Sequence, residues 1–205
     1  AAGGSPFDIG SDYGGSIRLP SHCAGTAGIK PTSGRVPRTG HCFPFGGMLD
    51  ALQQLGPMAR YVTDLSLLLP IIAGPDWVDP YIVPMPLLDP AKVKLSDLRV
   101  AFHTDNRILS HTSETSIVVK AEPRVLSDAG ARVDEARPTG IELSYDAMID
   151  AWNRCDPPLV KQLLEAAGTS QEETTLQWLF EVPAATNEDI VNAVRALDSC
   201  RSKML

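Results

Sequence analysis

The sequence contains no apolar run of about 18 residues, so no stretch of it is long enough to cross a bilayer as a helix. No basic stretch leading into an apolar core opens it, so a secretory signal is not expected. Cysteine is scarce: Cys23, Cys42, Cys155 and Cys200 are too few for a disulfide-stapled scaffold and too far apart for a zinc knuckle. The histidines His22, His41, His103 and His111 form neither HxH nor HExxH, which leaves no metal-binding motif. Reduced thiols in a cytoplasmic protein are therefore the expectation. Positive charge is also short, with 18 Lys and Arg against 25 Asp and Glu, a net charge of −7. Such a balance excludes direct binding of nucleic acid or an anionic lipid surface as the main business of the chain. GxGxxG and the phosphate-loop Gly-Lys-Ser/Thr are missing, as is any internal repeat. What remains is a globular composition, 43% hydrophobic and 21% charged over 205 residues.

Glycine crowds the front of the chain, where it marks tight turns and close backbone approaches. Residues 1–75 form this Gly-rich core. Within it Gly56-Pro57 reads as a turn, and Thr63 or Asp64 as the cap of a helix over 65–73, bent at Pro70. Four prolines between 76 and 90 make 76–97 an extended connection. A βαβ-like unit is expected over 98–136: a strand at 98–102, a helix at 113–129 stopped by Gly130, and a strand resuming at 131–133. From 137 to 205 the pattern is helical, with helices at 145–154, 159–167, 171–181 and 188–204 separated by Pro157-Pro158, Gly168 and Pro183. All four stretches are expected to belong to one α/β domain, a mixed central sheet with helices on both faces. With no initiator Met, the chain reads as a central piece of such a domain.

The chemistry concentrates in Gly10-Ser11-Asp12-Tyr13-Gly14-Gly15-Ser16-Ile17-Arg18-Leu19-Pro20. Adjacent glycines leave no Cβ to block an approaching carbonyl, and the amides of Tyr13, Gly14, Gly15 and Ser16 can converge on one point. Ser16 at the end of such a loop is placed to attack a carbonyl while those amides hold the oxyanion. Ser11, Asp12 and Arg18 flank the loop, the last two able to brace it by charge-assisted bonds.

The stretch 10–36, GSDYGGSIRLPSHCAGTAGIKPTSGRV, resembles the amidase signature family. Its core covers Gly10 to Pro20, and the later elements recur as Gly25, Gly28, Lys30-Pro31-Thr32 and Gly34-Arg35-Val36. A weaker match continues through Gly56-Pro57-Met58-Ala59-Arg60 to Ala73-Gly74-Pro75. The resemblance implies hydrolysis of amide C–N bonds by a Ser–cis-Ser–Lys triad through an acyl-enzyme, with no metal or cofactor. It makes Ser16 the nucleophile and puts the oxyanion amides on Tyr13, Gly14, Gly15 and Ser16. The family's triad lysine and its GGSSGG run lie upstream of the nucleophile and neither is in this sequence; Lys30 belongs to the downstream Lys-Pro-Thr element and is not that lysine. The chain alone is therefore expected to be inactive. The implied partner is a small-molecule amide, and a homo-oligomer stays open. Two alternatives are an amidotransferase subunit of the same family, which passes ammonia to a glutamate carried on tRNA (glutaminyl- or asparaginyl-tRNA formation), and a non-catalytic scaffold that kept the fold.

Overall fold

A computed structural model describes residues 2–43, 45, 47, 50–169, 174 and 177–204, with the backbone alone at 178 and 179. It contains two compact units, residues 1–87 and 88–205. Among the described residues no helix is long and apolar enough to cross a membrane.

The first unit is built on an antiparallel three-stranded sheet with β3 (Gln54–Ala59) in the middle. β1 (Phe7–Asp12) pairs along one edge of β3, from Phe7 opposite Ala59 to Asp12 opposite Gln54. β2 (Ala27–Gly28) pairs along the other, with Gly28 opposite Met58. Between β1 and β2 lies the short helix α1 (Arg18–Ala24), ended by Gly25 in the left-handed conformation. Ile17, Ala59, Leu65 and Val36 are buried here, with Ile17 fully inaccessible.

Gly56-Pro57, expected as a turn, instead lies inside the central strand. Two features suit the pair to that place. A Cβ on Gly56 would collide with the Ile29 carbonyl oxygen and lie 2.8 Å from Pro31 Cδ, so only glycine lets the neighbouring backbone come this close. Pro57 has no N–H to give, yet its carbonyl accepts from Ile29 N at 3.2 Å. The helix after it, α2 (Val62–Ile72), begins before the expected cap: Asp64 sits in its first turn and accepts from the Tyr61 amide at 3.3 Å. Pro70 does not end it, because Leu69 still accepts from Ala73 N at 3.0 Å. The proline-rich stretch then turns back onto the unit. Val83 N donates to Gly34 O at 2.9 Å, and Asp79 Oδ2 accepts from the backbone N of Arg38 at 2.9 Å.

In the second unit β4 (Arg99–Phe102) and β5 (Arg132–Glu135) pair in parallel, joined by α3 (Ser113–Asp128). This is the expected βαβ order; Thr112 Oγ1 caps α3 by accepting from Thr115 N, and Gly130 turns the chain at φ +100°. The segment from 144 departs from expectation: α4 (Ser144–Ala166) runs unbroken through Pro157 and Pro158. Packing overrides the local signal: α4 lies against α6 (Asn187–Lys203), with Ala151 buried on the first and Ala193, Leu197 and Cys200 buried on the second. Arg154 also ties Asp150 at 2.8 Å to Asp189 at 3.4 Å across the pair. Of the helix expected at 171–181, α5 (Gln177–Glu181) is present and most of the earlier residues lie outside those described.

Candidate active site

The loop between β1 and α1 is organised around one carboxylate. Asp12 ends β1 and is fully buried. Its Oδ1 accepts from Gly15 N at 2.9 Å and Arg18 Nη2 at 2.9 Å, and lies 3.3 Å from Lys30 Nζ. Its Oδ2 accepts from Ile17 N and Arg18 N, both at 3.2 Å, and from Arg18 Nε at 2.9 Å. Each oxygen thus meets three donors. Burial alone would raise the Asp12 pKa. The bonds from the Arg18 side chain and from the amides of Arg18 and Ile17, with the Lys30 charge, outweigh it and hold the carboxyl well below the usual aspartate range. A loop wound around an anion in this way keeps its shape without a hydrophobic core of its own.

Gly15 has φ +129°, a conformation open to glycine and strained for any residue with a Cβ. Ser16 follows it at the crest of the loop, exposed, and its hydroxyl meets no partner among the described residues. Ile17, next in line, is the fully buried plug that ties the crest to the sheet. The backbone of Leu19 closes the turn by donating to Gly15 O at 2.7 Å.

The four amides expected to form an oxyanion hole do not behave alike. Gly15 N–H, expected among the donors, points inward to Asp12 Oδ1, because the winding that satisfies the carboxylate uses that amide. The amides of Gly14 and Ser16 donate to no acceptor among the described residues. Arg18, expected with Asp12 to support the loop, donates to that carboxylate through Nε and Nη2, both at 2.9 Å. Ser11 sits on β1 opposite Leu55, and its side chain makes no bond to the loop among the described residues.

The sequence position of Lys30 excludes it from the triad role, and the fold places it beneath the loop. Its Nζ donates to Tyr13 O at 3.0 Å and pairs with Asp12 rather than reaching Ser16. Desolvation lowers its pKa, with the Asp12 charge opposing. His22 is exposed on α1, with no bond to Ser16 among the described residues. Among the described residues no three His, Cys, Asp or Glu side chains are grouped to hold a metal ion.

A second polar cluster centres on Arg38. Arg38 is 4% exposed, with its guanidinium 2.9 Å from Asp50 Oδ2 and 3.8 Å from Asp79 Oδ2. The rings of Phe45 and Tyr81 lie over it at 5.3 and 5.8 Å. It lines a cavity of about 390 Å³ together with Gln54, the residue opposite Asp12 in the sheet. No sequence signal marks this cluster, since its members are drawn from positions 38, 50 and 79.

The loop thus sets an exposed serine beside glycine amides and is braced by the buried Asp12 carboxylate and the exposed Arg18 guanidinium. The chain belongs to the amidase family, whose family model matches residues 1–202. It is 38% identical over 138 residues to a glutamyl-tRNA(Gln) amidotransferase subunit of Roseiflexus sp. (strain RS-1), a match covering 66% of this chain and 28% of that protein. It is 34% identical over 151 residues to fatty-acid amide hydrolase 1 of Sus scrofa, covering 72% of this chain and 26% of that one. Among solved structures, a fatty acid amide hydrolase superposes with a TM-score of 0.76 at 25% identity, covering 98% of this chain and 36% of the other. The chain thus spans under a third of the length of these curated relatives.

Proposed function

We propose that this chain carries the nucleophile loop of an amide hydrolase and that Ser16 is its nucleophile. The supporting observation is the exposed Ser16 hydroxyl on a loop whose shape is held by six donors converging on Asp12. In this reading Ser16 Oγ attacks the amide carbonyl and its proton passes to a general base. The oxyanion is held by the N–H groups of Gly14 and Ser16, with Tyr13 adjoining; the C–N bond then breaks, the amine leaves with a proton, and water hydrolyses the acyl-enzyme. Asp12 and Arg18 hold the loop and touch no reacting atom. The substrate is a small-molecule amide, and the reaction uses no cofactor. The general base and bridging serine that the family motif calls for have no counterpart in this chain, so Ser16 is expected to be unreactive in the 205 residues alone.

A second reading has its own support. The relative from Roseiflexus belongs to an amidotransferase, and its identity is slightly above that of the hydrolase from Sus scrofa. Under that reading the same serine chemistry releases ammonia for transfer rather than as waste, a partner supplies the tRNA, and the net charge of −7 is no obstacle.

One experiment tests the shared core of both. A fluorophosphonate probe is applied to the 205-residue chain, to the product of the complete reading frame that encodes it, and to the Ser16→Ala variant of each, with intact mass as readout. The complete product is expected to gain one probe adduct that Ser16→Ala abolishes, and the 205-residue chain to gain none. An adduct that survives Ser16→Ala would place the nucleophile elsewhere and refute the proposal.

A further inference from the structure

Lys30 stands 17 positions from Tyr13 yet reaches its carbonyl, and the route is built rather than incidental. Its backbone leaves β2, where Gly28 is paired with Met58 and Ile29 N donates to Pro57 O at 3.2 Å. Pro31, which is buried, follows directly and restricts Lys30 to extended backbone. The side chain is thereby aimed from the sheet toward the underside of the loop, where it is 18% exposed. Asp12 Oδ1 at 3.3 Å holds the ammonium there, while Tyr13 O accepts from it at 3.0 Å. The carboxylate already has Arg18 and three backbone amides for partners. The bond to Tyr13 O is therefore the feature that Asp12's own needs do not account for.

That bond bears on the site through the peptide plane. In a trans peptide the C=O of one residue and the N–H of the next point in opposite directions, and the plane turns as a unit. Drawing the Tyr13 carbonyl down onto the Lys30 ammonium sends the Gly14 N–H away from Lys30, out of the loop's underside. That amide has no acceptor among the described residues. A cation on the carbonyl end also draws electron density from the amide, which makes its N–H a stronger donor. With Gly15 N–H committed to Asp12, the orientation of Gly14 N–H decides how well an oxyanion is held.

We infer that Lys30 is a positioning residue of the nucleophile loop, whose ammonium locks the Tyr13–Gly14 peptide so that Gly14 N–H faces the developing oxyanion. This rests on the reading of Ser16 as nucleophile given above. Lys30 touches no reacting atom and takes no proton from Ser16.

The test uses the product of the complete reading frame and a fluorophosphonate, whose phosphoryl oxygen occupies the position of the oxyanion. Saturation kinetics separate its reversible binding from the covalent step at Ser16. Lys30→Met is expected to slow the covalent step by about 10- to 100-fold, less than the roughly 100- to 1,000-fold typical of removing a donor outright. Reversible binding should stay unchanged, the melting temperature should fall because buried Asp12 loses one of its partners, and Lys30→Arg, which keeps a cation, should recover most of both. If Lys30→Met does not fold, Lys30→Gln keeps a donor without the charge and is expected to label more slowly than Lys30→Arg. Unimpaired labelling of Lys30→Met, equal rates in Lys30→Gln and Lys30→Arg, or a slower covalent step that disappears once the rate is normalised to the folded fraction would each overturn the inference while leaving the nucleophile intact. A wild-type protein that gains no Ser16 adduct would sink the amidase reading and this inference with it.

Discussion

Replacing Asp12 by Asn changes one buried atom and almost no volume, which isolates the carboxylate's part in building the loop. Each Asp12 oxygen faces three donors: Gly15 N, Arg18 Nη2 and Lys30 Nζ at one, Ile17 N, Arg18 N and Arg18 Nε at the other. Whichever way the new amide is flipped, its NH2 group points at three N–H groups and accepts from none. Buried backbone amides left without an acceptor cost about 1–3 kcal/mol each. Breaking a buried ion pair by removing one partner costs about 3–5 kcal/mol. These figures overlap rather than add, and the Arg18 side chain is 56% exposed, so solvent recovers much of its share. The expected loss is about 3–5 kcal/mol, carried mainly by the amides and by Lys30. Urea unfolding of the complete reading-frame product, followed by circular dichroism, reads it as a lower midpoint at constant slope. Labelling at Ser16 should vanish alongside. The pH dependence supplies a second signature. The folded carboxyl ionises at lower pH than an unfolded aspartate, so its stabilisation is complete above about pH 4 and drains away as pH falls below that. Asp12→Asn should remove that part of the acid slope and leave stability at neutral pH low. A loss under about 1 kcal/mol, the level of an exposed pair, with labelling preserved, would refute the claim that this carboxylate anchors the loop.

Two further substitutions probe the scaffold in the same protein. Gly56→Ala should cost about 1–3 kcal/mol, because the new methyl meets the Ile29 backbone oxygen, which cannot swing aside; Gly10→Ala should cost less, since its nearest neighbour is the flexible end of Met58, and thermal melts that rank the two the other way would contradict the packing argument. Arg38→Met should cost about 3–5 kcal/mol by removing the cation between Asp50 and Asp79. A melting temperature lowered by less than an exposed ion pair would account for, about 1 kcal/mol, would count against it.

The loop could be read from the amino acids because its constraints are local. Gly14-Gly15-Ser16 and the Asp12–Arg18 pair lie within seven residues, and the chemistry of oxyanion and brace limits each to few residue types. The βαβ order was likewise readable from a helix stop at Gly130 and short apolar strands beside it. What escaped was whatever depends on partners far along the chain. Gly56-Pro57 carries the residue pair of a turn, and only the approach of Ile29 from the other strand makes that glycine and proline right for the centre of a sheet. Pro157-Pro158 carries the residue pair of a helix break, and burial against α6, some 30 or more residues away, outweighs it. The inward turn of Gly15 N–H escaped for a subtler reason: an oxyanion hole and an anion cradle ask for the same glycines, and only the placement of Asp12 decides which amide serves which anion. Lys30 marks the boundary between the two kinds of information. Its place in Lys-Pro-Thr excluded it from the triad, while its reach to Tyr13 needed β2, β3 and the buried Pro31 to be in place. A motif therefore specifies the atoms that meet the substrate more completely than it specifies the atoms that hold them still. Residues of the second kind are found by asking, of each loop carbonyl, what it is bonded to.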